Sequence, residues 1–511
     1  MGIPSYYRKL VKEIRGLYCT RPDLPKWLLM DYNCLIYQIL RDSKTLPKFT
    51  PSDKKGWEKM FIAEICTYTR KVIDLTGIQL ESVFIAIDGV VPLAKMRQQR
   101  MRRFKAISER QLGLRDAGNW DTNAITPGTE FMDLLATELR RTLQGATISD
   151  TSAFGEGEHK LLEFLKALPE SERRGNVIVY GLDGDLFVLT LLANQMFCPH
   201  MNFYFLREEQ QPSEQKEPQY EWISLNTLKG GLLKEKATCI DGDEWLKEYA
   251  LAMSLLGNDF VPHGLAFRIK DGGHERLLDY LRRLHDSGLR LLDAAGELSL
   301  EGWAQLFKWL AADEVRFISR SVQNKMQARS TSAIQDKPLE WRNQAEGQLL
   351  DGRNKLKSNW QTYYARAGLG SLEGYEAHYI EDSAKQYLDA LSWTFNYYCK
   401  GAAAVSFDWM YQYPVAPLFS EVSRIFPSIG FNTMEAPTDF VLPTRYEQLA
   451  LVLPAASWSL LPKCKERQLL VRAPWLYPRE WSYHSFGKRF FWECEAHIPI
   501  PSIKDVRDIL A

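Results

Sequence analysis

Three apolar runs in the first half of the chain each lead into aspartate: WLLM into Asp31, VFIAI into Asp88, and VIVYGL into Asp183, with Asp185 two residues further on. Such runs read as buried strands, and in an open parallel sheet ligands bind in the crevice beyond the strands' carboxyl ends. Three strands would therefore aim carboxylates at one crevice. Neighbours on a strand point to opposite faces, so Asp183 and Asp185 share a side if the chain is still extended there. In FGEGEHKLLEFLKAL, Glu156 and Glu158 stand immediately before an apolar helical pattern. On a regular helix they would diverge by about 200°. Both can face one site only from a turn at the helix entrance, which Gly155 and Gly157 permit. A seventh acid, Asp259, follows the apolar segment EWLKEYALAMSLLGN and precedes Pro262.

One acid after a strand is commonly a helix N-cap, and Glu156 or Glu158 would also suit a helix dipole. Seven carboxylates gathered together repel, which costs stability unless a cation compensates. Hard oxygen ligands select Mg²⁺ or Mn²⁺. An EF-hand is excluded, because Phe187 stands where the third loop ligand belongs. Two such ions would activate a water and stabilise the leaving oxygen of a phosphodiester, so the expected chemistry is phosphodiester hydrolysis.

The segment AKMRQQRMRRFKAISER carries Lys95, Arg97, Arg100, Arg102, Arg103, Lys105 and Arg110 against the single acid Glu109. At about 100° per residue, Lys95, Gln99, Arg102 and Arg103 fall at about 0°, 40°, 340° and 80°, on one helix face. Guanidinium groups bind phosphate oxygens in pairs, and lysine adds a point charge. A charged helix is usually a solvated face, but this one begins shortly after Asp88. A phosphate held there would lie beside the metals, and a pocket for one terminal phosphate points to an exonuclease working from an end.

The elements that must carry these residues follow from the wider pattern. Across the first half, short apolar runs alternate with helical patterns, which predicts an α/β fold with a mainly parallel twisted sheet flanked by helices. The polar run EEQQPSEQKEP (208–218) reads as an exposed loop and QNKMQARSTSAIQDKP (323–338) as a linker. The expected division is a catalytic core over 1–275, a helical connector with a polar linker over 276–345, and a helix-rich C-terminal region packed on the core over 346–511. The many aromatic residues of that last part are expected in its core.

Lysine plus arginine and aspartate plus glutamate each number 64 in 511 residues, so no chain-wide basic field exists and any polyanion site must be local. The eight cysteines form no metal-type spacing, which fits a reducing, intracellular compartment. No apolar run approaches the length needed to span a bilayer, so no membrane association is expected.

The blocks MGIPSYYRKL, LLMDYNCLIYQ, AIDGVVPLAKMRQQRMRRFKA, ITPGTEFM, GEGEHK, YGLDGDL and LLGNDFVPH, in this order, closely resemble the Xrn family of 5′→3′ exoribonucleases. YYCKGAAAVSFDWMYQYPVAP, YEQLALVLPAAS and FGKRFFWECEAHIPIP resemble that family's second characteristic region. The resemblance implies a PIN/flap-nuclease-like core that degrades single-stranded RNA bearing a 5′ monophosphate to nucleoside monophosphates. It assigns divalent metal to Asp31, Asp88, Glu156, Glu158, Asp183, Asp185 and Asp259, with two ions expected. It assigns the 5′ phosphate to Lys95, Gln99, Arg102 and Arg103.

Two departures from the family pattern stand out. Tyr37 replaces the histidine that stacks on the terminal base, which preserves a π-face. The usual Ser-Trp-x-Trp reads Ser406, Phe407, Asp408, Trp409, so Phe407 or Trp409 completes the base stack, or both are core. Compared with the large cytoplasmic members, no long C-terminal extension is expected, and a monomer in the cytoplasm rather than the nucleus is expected. Rival readings are a structure-specific flap endonuclease or DNA exonuclease, which shares the acidic crevice, and a non-catalytic RNA-binding scaffold, which would have lost metal ligands.

Overall fold

A computed structural model of the chain describes residues 3, 5–113, 120–209, 219–236, 240–327, 346–432, 440–488 and 490–511. The first helix, α1 (Tyr6–Glu13), precedes a six-stranded sheet in the order β3-β2-β1-β4-β5-β6. Its strands are β1 (Pro25–Asp31), β2 (Val83–Ala86), β3 (Thr147–Ser149), β4 (Arg174–Tyr180), β5 (His200–Glu208) and β6 (Tyr220–Ser224). Strands β1 to β5 pair in parallel and β6 closes one edge antiparallel to β5. The chain builds outward from β1 in one direction through β2 and β3, then returns to place β4 on its other side. The switch point of the sheet therefore lies between β1 and β4, where a ligand crevice is expected.

The apolar runs are nearly continuous because both faces of the sheet are covered. Alternation still sorts the side chains. Leu29, Val177 and Val179 point into a core shared with α6 (Gly157–Ala167), α7 (Asp185–Met196) and α9 (Gly242–Ala252). Leu28, Met30, Ile178 and Tyr180 point into a second core with α2 (Asn33–Asp42), α3 (Lys54–Thr76) and α5 (Glu130–Thr142). Helix α7 is buried over Asp185–Asn194, as its all-round apolar sequence DLFVLTLLAN requires.

The first core continues through α8 (Leu225–Leu233), α10 (Gly273–Asp286) and the long α11 (Leu300–Gln327) into the C-terminal helices α12 (Trp360–Gly368), α13 (Glu376–Lys400) and α14 (Phe419–Ile429). The aromatic residues Tyr364, Tyr387, Trp393 and Tyr397 are fully buried there. Residues 210–218 and 328–338 of the two polar runs lie outside the described residues. None of the described helices is long and apolar enough to cross a membrane.

The basic helix is α4 (Leu93–Gln111), and a third apolar cluster joins it to α15 (Arg445–Val452) and the end of the chain. Arg100, wholly buried, donates to the carbonyls of Leu451, Leu476 and Pro499. Lys105 donates to the Trp492 and Cys494 carbonyls at 2.6 and 3.0 Å. The Leu93 N–H donates to the Phe407 carbonyl at 2.8 Å, and the Val91 N–H to Gln448 Oε1 at 2.8 Å. The C-terminal region thus holds the helix that carries the basic face.

Candidate active site

Asp31 is the last residue of β1, Asp88 lies two residues beyond β2, and Asp183 three beyond β4. Adjacent strands thus bring three carboxylates to one end of the sheet. Glu156 caps the entrance of α6 in an extended conformation and Glu158 sits in its first turn, with Gly155 in the left-handed region at φ +101°. The turn expected at that entrance is present.

Asp183 and Asp185 meet the site differently from the extended arrangement expected. Gly184 is helical, at φ −74° and ψ −27°, and Asp185 is already the first residue of α7. The strand has ended, so Asp185 enters the crevice from a helix start, where the helix dipole favours its negative charge.

The crevice is tightly built. Gly157 donates its N–H to Asp88 Oδ1 at 2.7 Å, and Asn33 donates to Asp88 Oδ2 at 2.8 Å. A Cβ on Gly157 would lie 2.4 Å from Asp31 Oδ1 and 3.0 Å from the Ala86 carbonyl, so only glycine fits. The Gly89 N–H donates to the Gly155 carbonyl at 2.9 Å and the Gly155 N–H to the Val90 carbonyl at 2.8 Å, zipping the Asp88 loop to the Glu156 turn.

The electrostatics show that the carboxylates converge. Burial, followed by the charges of Asp88, Asp183 and Asp185, holds Asp31 well above the usual carboxylate range. Burial and then Asp185 and Glu156 do the same to Glu158. Asp185 is pushed up to about 7 by burial and then by Asp183 and Asp259. Each acid is thus felt by acids from other elements.

Lys95, at the start of α4, lies among these carboxylates. It pairs with Asp259 Oδ2 at 2.6 Å and with Glu156 Oε2. Burial alone would raise Asp259, but the adjacent ammonium holds it near 2. The same carboxylates keep Lys95 charged against its own burial. One lysine does not balance seven acids, and Asp185 Oδ1 is buried without a hydrogen-bond partner. An all-oxygen set with surplus negative charge and an orphaned oxygen fits a hard divalent cation.

The remaining basic residues sit beside this cluster. Arg103 is buried, with Nη2 donating to Thr126 Oγ1 at 2.7 Å and Nη1 left without a partner. Burial lowers it to about 10, still charged at neutral pH, with Tyr37 and Asp88 close enough to favour the charge. Gln99 is buried next to it on the same face, its Oε1 unpartnered. Arg102 is half-buried and forms no hydrogen bond or ion pair with a described residue. Tyr37 is 39% exposed. Trp409 is half-buried with its ring stacked on Trp393 at 5.7 Å, whereas the Phe407 ring is buried.

Sequence reasoning did not single out four contributors. Tyr397 donates to Glu156 Oε1 at 3.1 Å, and Asn33 braces Asp88 as described. Lys160 donates to the Ile87 and Asp150 carbonyls at 2.6 and 2.7 Å, fixing α6 against the strand end. His159 packs on Tyr397 with centroids 3.9 Å apart, and its ligand atoms, with those of Glu156 and Glu158, lie within 4.8 Å of one another. Burial lowers His159 to about 3, so its imidazole is neutral. GEGEHK places His159 and Lys160 beside the acids, but Tyr397 is hidden in an ordinary aromatic helix.

Two family models match the chain. One, described as XRN 5'-3' exonuclease N-terminus, covers residues 1–209; the other, described as Xrn1 helical domain, covers residues 342–507. Among curated proteins, the chain is 27% identical to 5'-3' exoribonuclease 1 of Homo sapiens over 98% of its own length and 33% of the human protein. It is 25% identical to 5'-3' exoribonuclease 2 of Debaryomyces hansenii, over 92% of this chain and 64% of that protein. With 5'-3' exoribonuclease 1 of Schizosaccharomyces pombe the identity is 24%, over 100% of this chain and 48% of the relative. The chain therefore spans between a third and two thirds of the length of these relatives. The acidic crevice, the basic helix beside it and the two matched regions together place this chain in the Xrn family of 5′→3′ exonucleases.

Proposed function

We propose that this protein is a 5′→3′ exoribonuclease that hydrolyses single-stranded RNA bearing a 5′ monophosphate, one nucleotide at a time, to nucleoside 5′-monophosphates. The observation that carries this reading is the placement of Arg103 Nη1, a buried cationic donor without a partner, beside an acidic cluster that includes Asp88. A buried guanidinium with an open donor is stabilised by any acceptor that completes its hydrogen bonds, and a terminal phosphate is a strong anionic acceptor of that kind.

Gln99, Arg102 and Arg103 hold the terminal phosphate, and Lys95 links that grip to Glu156 and Asp259. Tyr37 and Trp409 offer aromatic faces to the terminal base. Asp31, Asp88, Glu156, Glu158, Asp183, Asp185 and Asp259 would hold two Mg²⁺ or Mn²⁺ ions, which would supply water activation and charge stabilisation at the leaving oxygen. Burial excludes bulk water and strengthens every electrostatic contact made there.

The test is a time course on RNA of one length and one 5′ monophosphate, with products resolved by size. Mononucleotides accumulating beside shrinking or intact substrate are expected, and triphosphate, capped or hydroxyl ends should resist. Internal fragments, or equal decay of all ends, would refute the reading.

A further inference from the structure

Helix α4 has a second basic side. Arg97, Met101 and Lys105 recur every four residues, which sets them in one stripe away from Gln99 and Arg103. This stripe walls a cavity of about 160 Å³, closed on the other sides by residues 257–263 and 492–495 and by Lys488. Asp259 lines its inner end, so the cavity opens directly beside the acidic crevice.

Its charges are unevenly matched. Arg97 is paired with Glu495 at 3.2 Å, Lys270 with Glu493 at 2.9 Å, and Asp259 with Lys95. Lys105 is spent on two carbonyls that fix the 492–495 wall. The lining residues Arg102 and Lys488 form no hydrogen bond or ion pair with a described residue, so their donors are open, although the charge of Arg102 is felt by Asp259 and that of Lys488 by Glu495. At the rim Trp492 is 52% exposed, its indole held parallel to Phe490 at 5.9 Å. Gln98 Oε1 and His263 Nδ1, both on lining residues, are buried polar atoms without partners.

Cations with open hydrogen-bond donors, unpaired polar atoms along the wall and a braced aromatic face at the rim match the three parts of a nucleotide: phosphate, ribose hydroxyls and base. We propose that this cavity binds one free nucleoside 5′-monophosphate, the hydrolysis product, with its phosphate toward Arg102 and Lys488 and its base on Trp492. The choice of ligand rests on the exonuclease reading; the binding does not. The small volume takes the phosphate and ribose of one nucleotide, with the base outside on exposed Trp492, and leaves no room for a strand; Asp259 in its lining puts it where a severed nucleotide would leave. Arg102, reached from both sides of α4, would hand the phosphate from one pocket to the other.

The test is calorimetric titration of AMP into the full chain in EDTA, using wild type, Lys488→Glu, Trp492→Ala and Arg103→Ala. Wild type should show two classes of site. Lys488→Glu and Trp492→Ala should each weaken one class at least tenfold, with Arg103→Ala weakening the other, and adenosine should bind the Trp492 class less well than AMP. Product inhibition of RNA hydrolysis by added AMP should be relieved in Lys488→Glu and Trp492→Ala. A parallel titration uses a non-hydrolysable 5′-phosphorylated oligonucleotide. If the two variants weaken that strand but leave AMP unchanged, the cavity serves the RNA chain and the proposal is overturned. AMP binding indifferent to both variants would overturn it equally. AMP binding sensitive to both, in a protein that degrades no RNA, would sustain the cavity as a nucleotide site while removing the exonuclease reading.

Discussion

The Gly157 N–H donates to the Asp88 carboxylate at 2.7 Å, joining the end of one strand to the mouth of a helix 69 positions later. Together with the missing side chain at Gly157, which leaves room for Asp31, this contact sets the spacing of the acidic crevice. Gly157→Ala would drive a methyl against Asp31 Oδ1 and the Ala86 carbonyl. Overpacking of this kind costs about 1–3 kcal/mol of stability, and displacing a catalytic group by about 1 Å costs about a hundredfold in rate. Steady-state hydrolysis of 5′-monophosphate RNA and thermal melting should show a large loss of kcat in a protein that still folds.

Lys95 pairs with two buried carboxylates, so its removal should be felt most in the absence of metal. Lys95→Met leaves Glu156 and Asp259 uncompensated, and breaking a buried pair typically costs about 3–5 kcal/mol. Denaturant unfolding in EDTA should reveal that loss, and Mn²⁺ should recover part of it. Unchanged stability in EDTA would mean that Lys95 does not serve as the internal counter-ion.

Arg103 is expected to read the end of the substrate rather than to hold metal. Hydrogen bonds to charged groups contribute about 1.5–3 kcal/mol, so Arg103→Ala should lower the preference for 5′-monophosphate over 5′-hydroxyl RNA by about ten- to a hundredfold. Mn²⁺ affinity should change far less. Competition between the two RNAs in one reaction measures the ratio directly.

A pH dependence arises away from the crevice. Glu314 on α11 is buried and accepts the Phe419 N–H, with the Ser420 N–H at 3.1 Å and the Ser420 hydroxyl at 2.6 Å, yet burial raises it to about 7. Its folded pKa lies above its unfolded value, so the folded state binds more protons between about pH 4.5 and 7. Its contribution is complete below that window and is lost as the pH rises through it, about 3 kcal/mol in all. Stability curves across pH 4.5–7.5 for wild type and Glu314→Gln should differ by this slope; identical slopes would exclude it.

The local half of the site was legible in the sequence. Apolar runs ending in aspartate became parallel strands with Asp31, Asp88 and Asp183 at their carboxyl ends, and the glycines around Glu156 marked the turn at the entrance of α6. The reading faltered where a strand gives way to a helix, because nothing in Asp183-Gly184-Asp185 says on which residue extension stops. Periodicity placed Lys95 on the phosphate face of α4, but its pairing with Asp259 depends on a contact across 164 positions that no local pattern encodes. The same applies to Arg100, read as one more cation and found buried on carbonyls of the C-terminal region. Composition favoured a structural role for the C-terminal aromatics, and Tyr387 and Trp393 are core; Tyr397 is core as well as a donor to Glu156.

Everything rests on the crevice carboxylates taking up divalent cations, and calorimetric titration of Mn²⁺ near pH 6.5 asks this directly. Asp185 is raised to about 7, and Glu158 also lies high, so binding should release protons and its heat should vary with the buffer's ionisation enthalpy. Wild type is expected to bind Mn²⁺ with proton release, and Asp185→Asn to lose most of both. Absence of Mn²⁺ uptake by the folded wild-type protein, or uptake unchanged in Asp185→Asn, would contradict the assignment.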